Sequence, residues 1–386
     1  MKIVHTSDWH VGRRWKGIDR LNEIEAVLDH LSRYIEAEEI DLVLHTGDVF
    51  DARTPPAEAE RLVNRFFVRM GRAGAHMVLI AGNHDDPGRL DARGLLAEFA
   101  NVHIVGRPRR ASEGGVQVIE TRSGEKAVVA ALPFASPGKF VSALDLAADE
   151  GGAYSLYARM FQSAVQSLSQ PFRSDAVNLF MAHTHLEGAV FGASERRVHV
   201  GQEWAATAQT LPTTAAYIAL GHIHKPQKVE GLLPAYYAGS PLQMDFGEVG
   251  QAKTFVVIHA TPGRPARVSH VGYEGGFPLI DLRASLSELP THVQKLGPRC
   301  WLRVTVPLTE KDPDLNRKVR SLLPNALVVR AELPEVEARE SIRPPSTASP
   351  AELYRAFHLS EHNTAAAPEV IEAFLRVHAE ALEVEA

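Results

Sequence analysis

Three short apolar runs, KIVHTS from residue 2, DLVLHTG from residue 41 and HMVLIAG from residue 76, are separated by two stretches of helical periodicity. In the first stretch Leu21, Ile24, Leu28, Leu31 and Ile35 fall on one face; in the second Leu62, Val63, Phe66, Phe67 and Met70 do so. Strand–helix–strand–helix–strand over about a hundred residues predicts parallel strands joined by right-handed crossovers. In open α/β sheets the site lies beyond the carboxyl ends of such strands. At those ends stand Asp8 and His10, then Asp48 and Asp51, then Asn83, His84 and Asp85.

Further along, VQVIET, AVVAALP, VNLFMAH, AYIALGH, AYYAGS and KTFVVIHA read as shorter strands. They predict a second sheet packed on the first, with helices outside. Leu156, Met160, Val165 and Leu168 share a face of a helix expected over Tyr154 to Ser169. Residues 1–272 therefore read as one α/β domain, a two-sheet sandwich flanked by helices. Beyond it PLIDLR, CWLRVTVP and NALVVRAEL alternate with helical patterns from about Leu286 and Asp312, which predicts a small α+β domain over residues 273–333. Pro, Ser and charge dominate residues 334–348, the composition of a linker. Residues 349–386 read as a helical pair, opened by Ser349 as N-cap and Pro350 at the first helical position. Two tethered helices bury little by themselves, so the pair reads as a docking element.

No apolar run approaches the roughly 18 residues of a membrane span, and the N-terminus lacks the pattern of a secretory signal. The single cysteine, Cys300, forms no internal disulfide and fits a reducing cytoplasm, where we expect the protein to reside. The net charge of −6 argues against a continuous positive coat for nucleic acid. One basic cluster stands apart: Arg13, Arg14 and Lys16 follow directly on the Asp8–His10 turn and are candidate DNA contacts.

The strand-end pairing recurs. To Asp8-x-His10, Asp48 and the Asn83–His84 pair the chain adds His183 and His185 in MAHTH, and His222 and His224 in ALGHIH. Carboxylate, imidazole and amide oxygen together suit a divalent metal, and the absence of cysteine near them excludes a thiolate zinc site. Even seven of these donors exceed one tetrahedral ion and suit two ions about 3.5–4 Å apart sharing a carboxylate, the arrangement for displacement at phosphorus. A satisfied polar loop explains any one of these motifs, but not five at successive strand ends. His5, His45 and Trp9 read as core residues. Two divalent ions would leave the site cationic, so the acidity of the whole chain does not exclude a phosphodiester.

These five motifs, in this order, resemble those of the calcineurin-like metallophosphoesterases. HTSDWHVG, GDVFDARTPP, AGNHD, YIALGHIHKPQ and AGSPLQMDFGE are more closely similar to the bacterial SbcD branch, counterpart of the archaeal and eukaryotic double-strand-break repair nucleases. The resemblance spans essentially the whole chain. It implies that Asp8, His10, Asp48 and His224 bind one Mn²⁺ and that Asp48 bridges to a second, held also by Asn83, His183 and His222; Mg²⁺, Fe and Zn suit the same donors. It assigns His84 to the scissile phosphate and Asp51 to orienting His84. His183 is taken as the ligand of MAHTH because the strand leads straight to it; His185 is unassigned. It further implies a DNA repair enzyme, a double-strand 3′–5′ exonuclease and single-strand or hairpin endonuclease using metal-activated water. The small domain would cap the site and guide DNA. The partners implied are DNA, a second copy of the chain, and an SbcC-type ATPase docked on the C-terminal helices. No Gly-x-x-x-x-Gly-Lys-Ser/Thr loop is present, so ATP control would come from that partner. A phosphatase or cyclic-nucleotide phosphodiesterase shares the metal motifs and is the competing reading, although it needs neither the small domain nor the tail.

Overall fold

The computed structural model describes residues 1–135, 150–190, 206–231, 233–334, 349–362 and 364–384. Two six-stranded sheets dominate it. The first has the order β14 (Arg267–Gly272), β13 (Thr254–His259), β1 (Lys2–Thr6), β4 (Leu42–His45), β5 (His76–Ile80) and β6 (Val102–Val105). The second has the order β11 (Gln227–Lys228), β12 (Ala235–Tyr237), β10 (Tyr217–Gly221), β9 (Val177–His183), β8 (Lys126–Leu132) and β7 (Val116–Glu120). β1, β4, β5 and β6 are mutually parallel, as are β8, β9, β10 and β12.

Period-2 alternation explains the layering. Along β1 and β4, Ile3, Leu42 and Leu44 join Val129, Leu179, Met181 and Ala219 of the second sheet in an inter-sheet core. Val4 and Val43 point the other way, onto helices α1 (Leu21–Ala37) and α2 (Ala57–Arg72). The predicted stripes of both helices are the buried ones. On the far face of the second sheet lies α4 (Glu150–Ser169), burying Phe161, Val165 and Leu168. The fold is thus the predicted α/β two-sheet sandwich flanked by helices.

One strand departs from expectation. KTFVVIHA does not join the second sheet. As β13 it pairs antiparallel with β1, Ile3 opposite Ile258, and carries β14 on its outer edge. A short continuous apolar run, buried on both faces, fits either sheet, and the open edge of β1 takes it. β6 and α3 (Pro87–Ala97) were not anticipated either, although Asp86 caps α3 by accepting the Arg89 N–H, with proline at the first position.

Contacts divide the chain into two units, Met1–Val306 with Asp314–Arg330, and Pro307–Pro313 with Ala331–Ala386. The first includes most of the predicted small domain, residues 273–306 and 314–330, so residue 272 is not a break in its contacts. There β15 (Leu279–Arg283), β16 (Trp301–Pro307) and β17 (Ala326–Glu332) form a three-stranded sheet, with α5 (Leu289–Leu296) and α6 (Leu315–Leu322) between the strands in sequence. Residues 335–348 of the predicted linker lie outside the described residues. In the second unit, Ser349 and Glu352 exchange the hydrogen bonds of a capping box at the start of α7 (Pro350–His362). Tyr354 stacks on Phe374 of α8 (Pro368–Val384) at 4.3 Å. Among the described residues no helix is long and apolar enough to cross a membrane.

Two histidines of the first sheet are core residues. His5 and His45 are fully buried, and burial, which disfavours the imidazolium, lowers both to about 3 from the ordinary 6.5. His5 bridges the Tyr217 hydroxyl and Thr46 Oγ1, both at 2.9 Å. The unfolded chain binds a proton at each such residue below about pH 6.5, whereas the folded chain does so only near pH 3. Their contribution to stability is therefore complete above pH 6.5 and lost as pH falls. In chelator, the wild-type melting temperature should fall between pH 7 and 4 more steeply than that of His5→Gln, by the linkage of about one proton. Parallel slopes would place the titration elsewhere.

Candidate metal centre

The parallel strands deliver their carboxyl ends to one place. β1 leads to Asp8 and His10, β4 to Asp48, β5 to Asn83 and His84, β9 ends on His183, and β10 runs into His222 and His224. The turns are strained. Seven described non-glycine residues have positive φ, and four of them are Asp8 (+50°), His10 (+46°), Asp48 (+52°) and His222 (+103°). Such conformations cost of order 1–3 kcal/mol each and persist where the surroundings over-determine them. Asp8 N–H donates to the Gly47 carbonyl and His10 N–H to the Asp48 carbonyl, both at 3.0 Å, zipping the first two turns together. Glycines permit the approach. A Cβ on Gly82 would lie 2.1 Å from Asp48 Oδ1, and one on Gly47, itself at φ +97°, 2.4 Å from His183 Nδ1.

Asp48 is the hub. Its Oδ1 accepts the His84 N–H at 2.8 Å, and its Oδ2 lies 3.6 Å from His10 Nε2 and 3.7 Å from His183 Nε2. Asn83 Oδ1 lies 2.9 Å from His183 Nε2 and 3.0 Å from His222 Nδ1. His10 Nε2 and His224 Nε2 face each other at 3.1 Å. Asp8 receives the His222 main-chain N–H on its carboxylate. Ligand atoms of Asp8, His10 and His224, of Asp8, Asp48 and His183, and of His10, Asp48 and His84 lie within 4.8 Å of one another. The structure thus brings together all seven predicted ligands, with His84 beside them.

The electrostatics fit cations. Burial holds His10 and His222 well below the ordinary histidine value and His183 at about 3, so all three are neutral donors at neutral pH. Burial, reinforced by Asp8 and Asp85, raises Asp48 well above the carboxylate range. Two buried ring nitrogens 3.1 Å apart, an amide oxygen between two imidazoles and a carboxylate disfavoured as an anion form a convergent set of electron-pair donors. A divalent ion is the group that satisfies such a set.

Asp51 takes a different position from the one the resemblance suggests. Its main-chain carbonyl, not its carboxylate, meets His84 Nδ1, at 2.8 Å. Its carboxylate lies 3.2 Å from His10 Nδ1 and accepts from Arg13 Nη1 at 3.0 Å. Burial opposes its ionisation, but His10 and Arg13 outweigh that and hold it at about 2. Arg13, expected among DNA contacts, is thereby turned inward, its side chain 17% exposed. Arg14 and Lys16 are exposed on a two-residue hairpin of β2 (Arg14–Trp15) and β3 (Ile18–Asp19). His185 is buried just past β9 and has no assigned role. Trp9 is fully buried against His45 and Phe66, a core residue as predicted. Asp85 escaped assignment. Its carboxylate accepts the N–H groups of Val49, Phe50 and Gly82, clamping the second turn to the third, and burial raises it to about 6. Asp51→Asn should therefore weaken divalent-metal affinity about tenfold or more through His10, as loss of a carboxylate behind a ligating imidazole does. Titration calorimetry of the variant checks this; unchanged affinity would leave the carboxylate with no part in binding.

Residues 1–226 match the family model described as calcineurin-like phosphoesterase. Residues 277–361 match one described as type 5 capsule protein repressor C-terminal domain. The chain is 36% identical over 293 residues to a Bacillus subtilis protein named as the SbcD component of the SbcCD nuclease, covering 75% of this chain and 74% of that one. Proteins of the same name from Escherichia coli K12 and Rhodobacter capsulatus are each 30% identical, over 83% and 89% of this chain and 82% and 90% of their own lengths. The strand-end residues thus lie within the first matched segment and the three-stranded sheet within the second, and the chain belongs to the SbcD family of calcineurin-like phosphoesterases.

Proposed function

We propose that the protein is the nuclease subunit of an SbcCD-type DNA repair complex, hydrolysing phosphodiesters at a site for two Mn²⁺ ions, with double-strand 3′–5′ exonuclease and single-strand or hairpin endonuclease activity. The observation that carries the reading is the convergence on Asp48 of six further donors, all of them buried but Asn83, at the joined ends of two sheets. Divalent ions there supply charge neutralisation at the phosphate and an activated water. Asp8, His10 and His224 would hold one ion and Asn83, His183 and His222 the other, with Asp48 shared; ligand atoms of the first three lie within 4.8 Å of one another, and Asn83 Oδ1 lies 2.9 Å from His183 Nε2 and 3.0 Å from His222 Nδ1.

His84 is the group left for the phosphate. Its Nδ1–H donates to the Asp51 carbonyl, which fixes the ring, and Nε2 is the nitrogen that would act on the substrate. Protonated, that nitrogen donates to a non-bridging oxygen or to the leaving oxygen. Arg14 and Lys16, with Trp15 between them, offer the backbone of DNA two exposed cations beside the site. His84→Gln should keep both ions and lose on the order of 10²-fold or more in kcat on linear duplex DNA with Mn²⁺. Loss of metal would make His84 a ligand, and preference of the wild-type enzyme for a phosphomonoester would favour a phosphatase.

Two surfaces support the partners. Leu95, Leu96 and Phe99, the last 91% exposed, form an apolar ridge at the end of α3, suited to a second copy of the chain. On α7 and α8, Leu353, Phe357, Leu359, Leu375 and Val377 are exposed although Tyr354 and Phe374 pair the helices. Apolar residues on a helix pair are suited to the coiled coil of an ATPase. Deleting residues 349–386 should leave a folded, metal-loaded dimer that no longer co-purifies with the ATPase. Undiminished binding would end the docking role, and aggregation of the truncated chain would give the helices a structural one.

A further inference from the structure

The motif AGSPLQMDFGE ends on Glu248, which the metal ligands do not include. Glu248 is fully buried at the end of a 3-10 turn, Phe246–Glu248, capped by Asp245. One carboxylate oxygen lies 3.5 Å from His224 Nδ1. The other accepts from Lys253 Nζ at 2.6 Å and from the Met244 N–H at 3.0 Å. Lys253 also donates to the His224 carbonyl at 2.9 Å and to Ser240 Oγ at 3.1 Å. Ring and main chain of His224 are gripped from one side, while Nε2 faces His10. A carboxylate behind the second nitrogen fixes the tautomer and orientation of a ligating imidazole.

The grip continues away from the site. Gln243 Nε2 donates to the carbonyls of Glu248 and Gln251, and its Oε1 accepts the N–H of Leu279, the first residue of β15. The Gln243 carbonyl accepts from Arg20 Nη1. Arg20 and Glu23, both nearly inaccessible, make a two-bonded pair at 2.9 and 2.8 Å. Glu23 in turn accepts the indole N–H of Trp301, the first residue of β16, at 2.9 Å and the Phe277 N–H at 2.8 Å. A buried ion pair adds little net stability compared with apolar packing. This one joins the starts of two strands of the small sheet to the turn that carries Glu248.

We infer that Glu248 is a positioning residue for His224, and that the Glu23–Arg20–Gln243 cluster sets its place by anchoring it to the starts of β15 and β16. The inference rests on the metal-site reading above and adds the residues that tune one side of it. Calorimetric titration of chelator-treated full-length protein with Mn²⁺, beside thermal unfolding in chelator, tests it. Glu248→Gln should weaken one bound Mn²⁺ by about 10–100-fold and leave the other unchanged. Trp301→Phe, which keeps an aromatic side chain but removes the N–H donor, should weaken the same ion by up to about tenfold. Leu289→Ala, buried in the small sheet's core, should lower the melting temperature and leave both affinities as they are. Wild-type affinity in Glu248→Gln would overturn the positioning role. Wild-type affinity in Trp301→Phe, or an equal loss in Leu289→Ala, would overturn the anchoring, and that pair decides it should Glu248→Gln fail to fold. A wild-type chain that binds no Mn²⁺ would overturn the metal-site reading itself, a result distinguishable from the others.

Discussion

The site is organised around one buried carboxylate. Asp48 stands where the ends of the two sheets meet, and its oxygens face a main-chain N–H from one turn and imidazoles from two others. A carboxylate in that position is disfavoured as an anion by burial and by Asp8 and Asp85. The protein tolerates it because five strand ends and their strained turns are held in register by main-chain hydrogen bonds and by Asp85.

The two sides of the site share a construction. His10 and His224 present Nε2 to each other, and each has a carboxylate near Nδ1: Asp51 for one and Glu248 for the other. Each carboxylate also holds a cation, Arg13 or Lys253. The charge of each carboxylate is thus balanced locally, and it still orders the ring it faces.

Much of this was legible in the sequence, for a definite reason. The candidate ligands follow apolar runs of recognisable strand pattern, so Asp8, His10, Asp48, Asn83, His183, His222 and His224 could be placed at strand ends from pattern alone. What was not legible depends on direction and on distance along the chain. The sequence puts Asp51 three residues past Asp48 but does not say that its side chain turns to His10 while its carbonyl turns to His84. Arg13 reads as one cation of a cluster, yet Asp51 draws it in and leaves Arg14 and Lys16 outside. Glu248 and Glu23 acquire meaning only through partners far away in the sequence. β13 was expected in the second sheet and lies in the first, because an apolar run specifies a strand and not the sheet it joins.

That last strand has a consequence for synthesis. β1 emerges first and finds β4, β5 and β6 within about a hundred residues, but its other edge is covered only by Thr254–His259. At roughly 5–20 residues per second, the nascent chain carries an open, apolar strand edge for about 10–50 seconds. Glu23 waits longer still for Trp301, with Arg20 three residues away to neutralise it meanwhile. The ribosome-bound chain therefore exposes an unpaired strand edge until Thr254–His259 is made, and shielding of that edge matters until then.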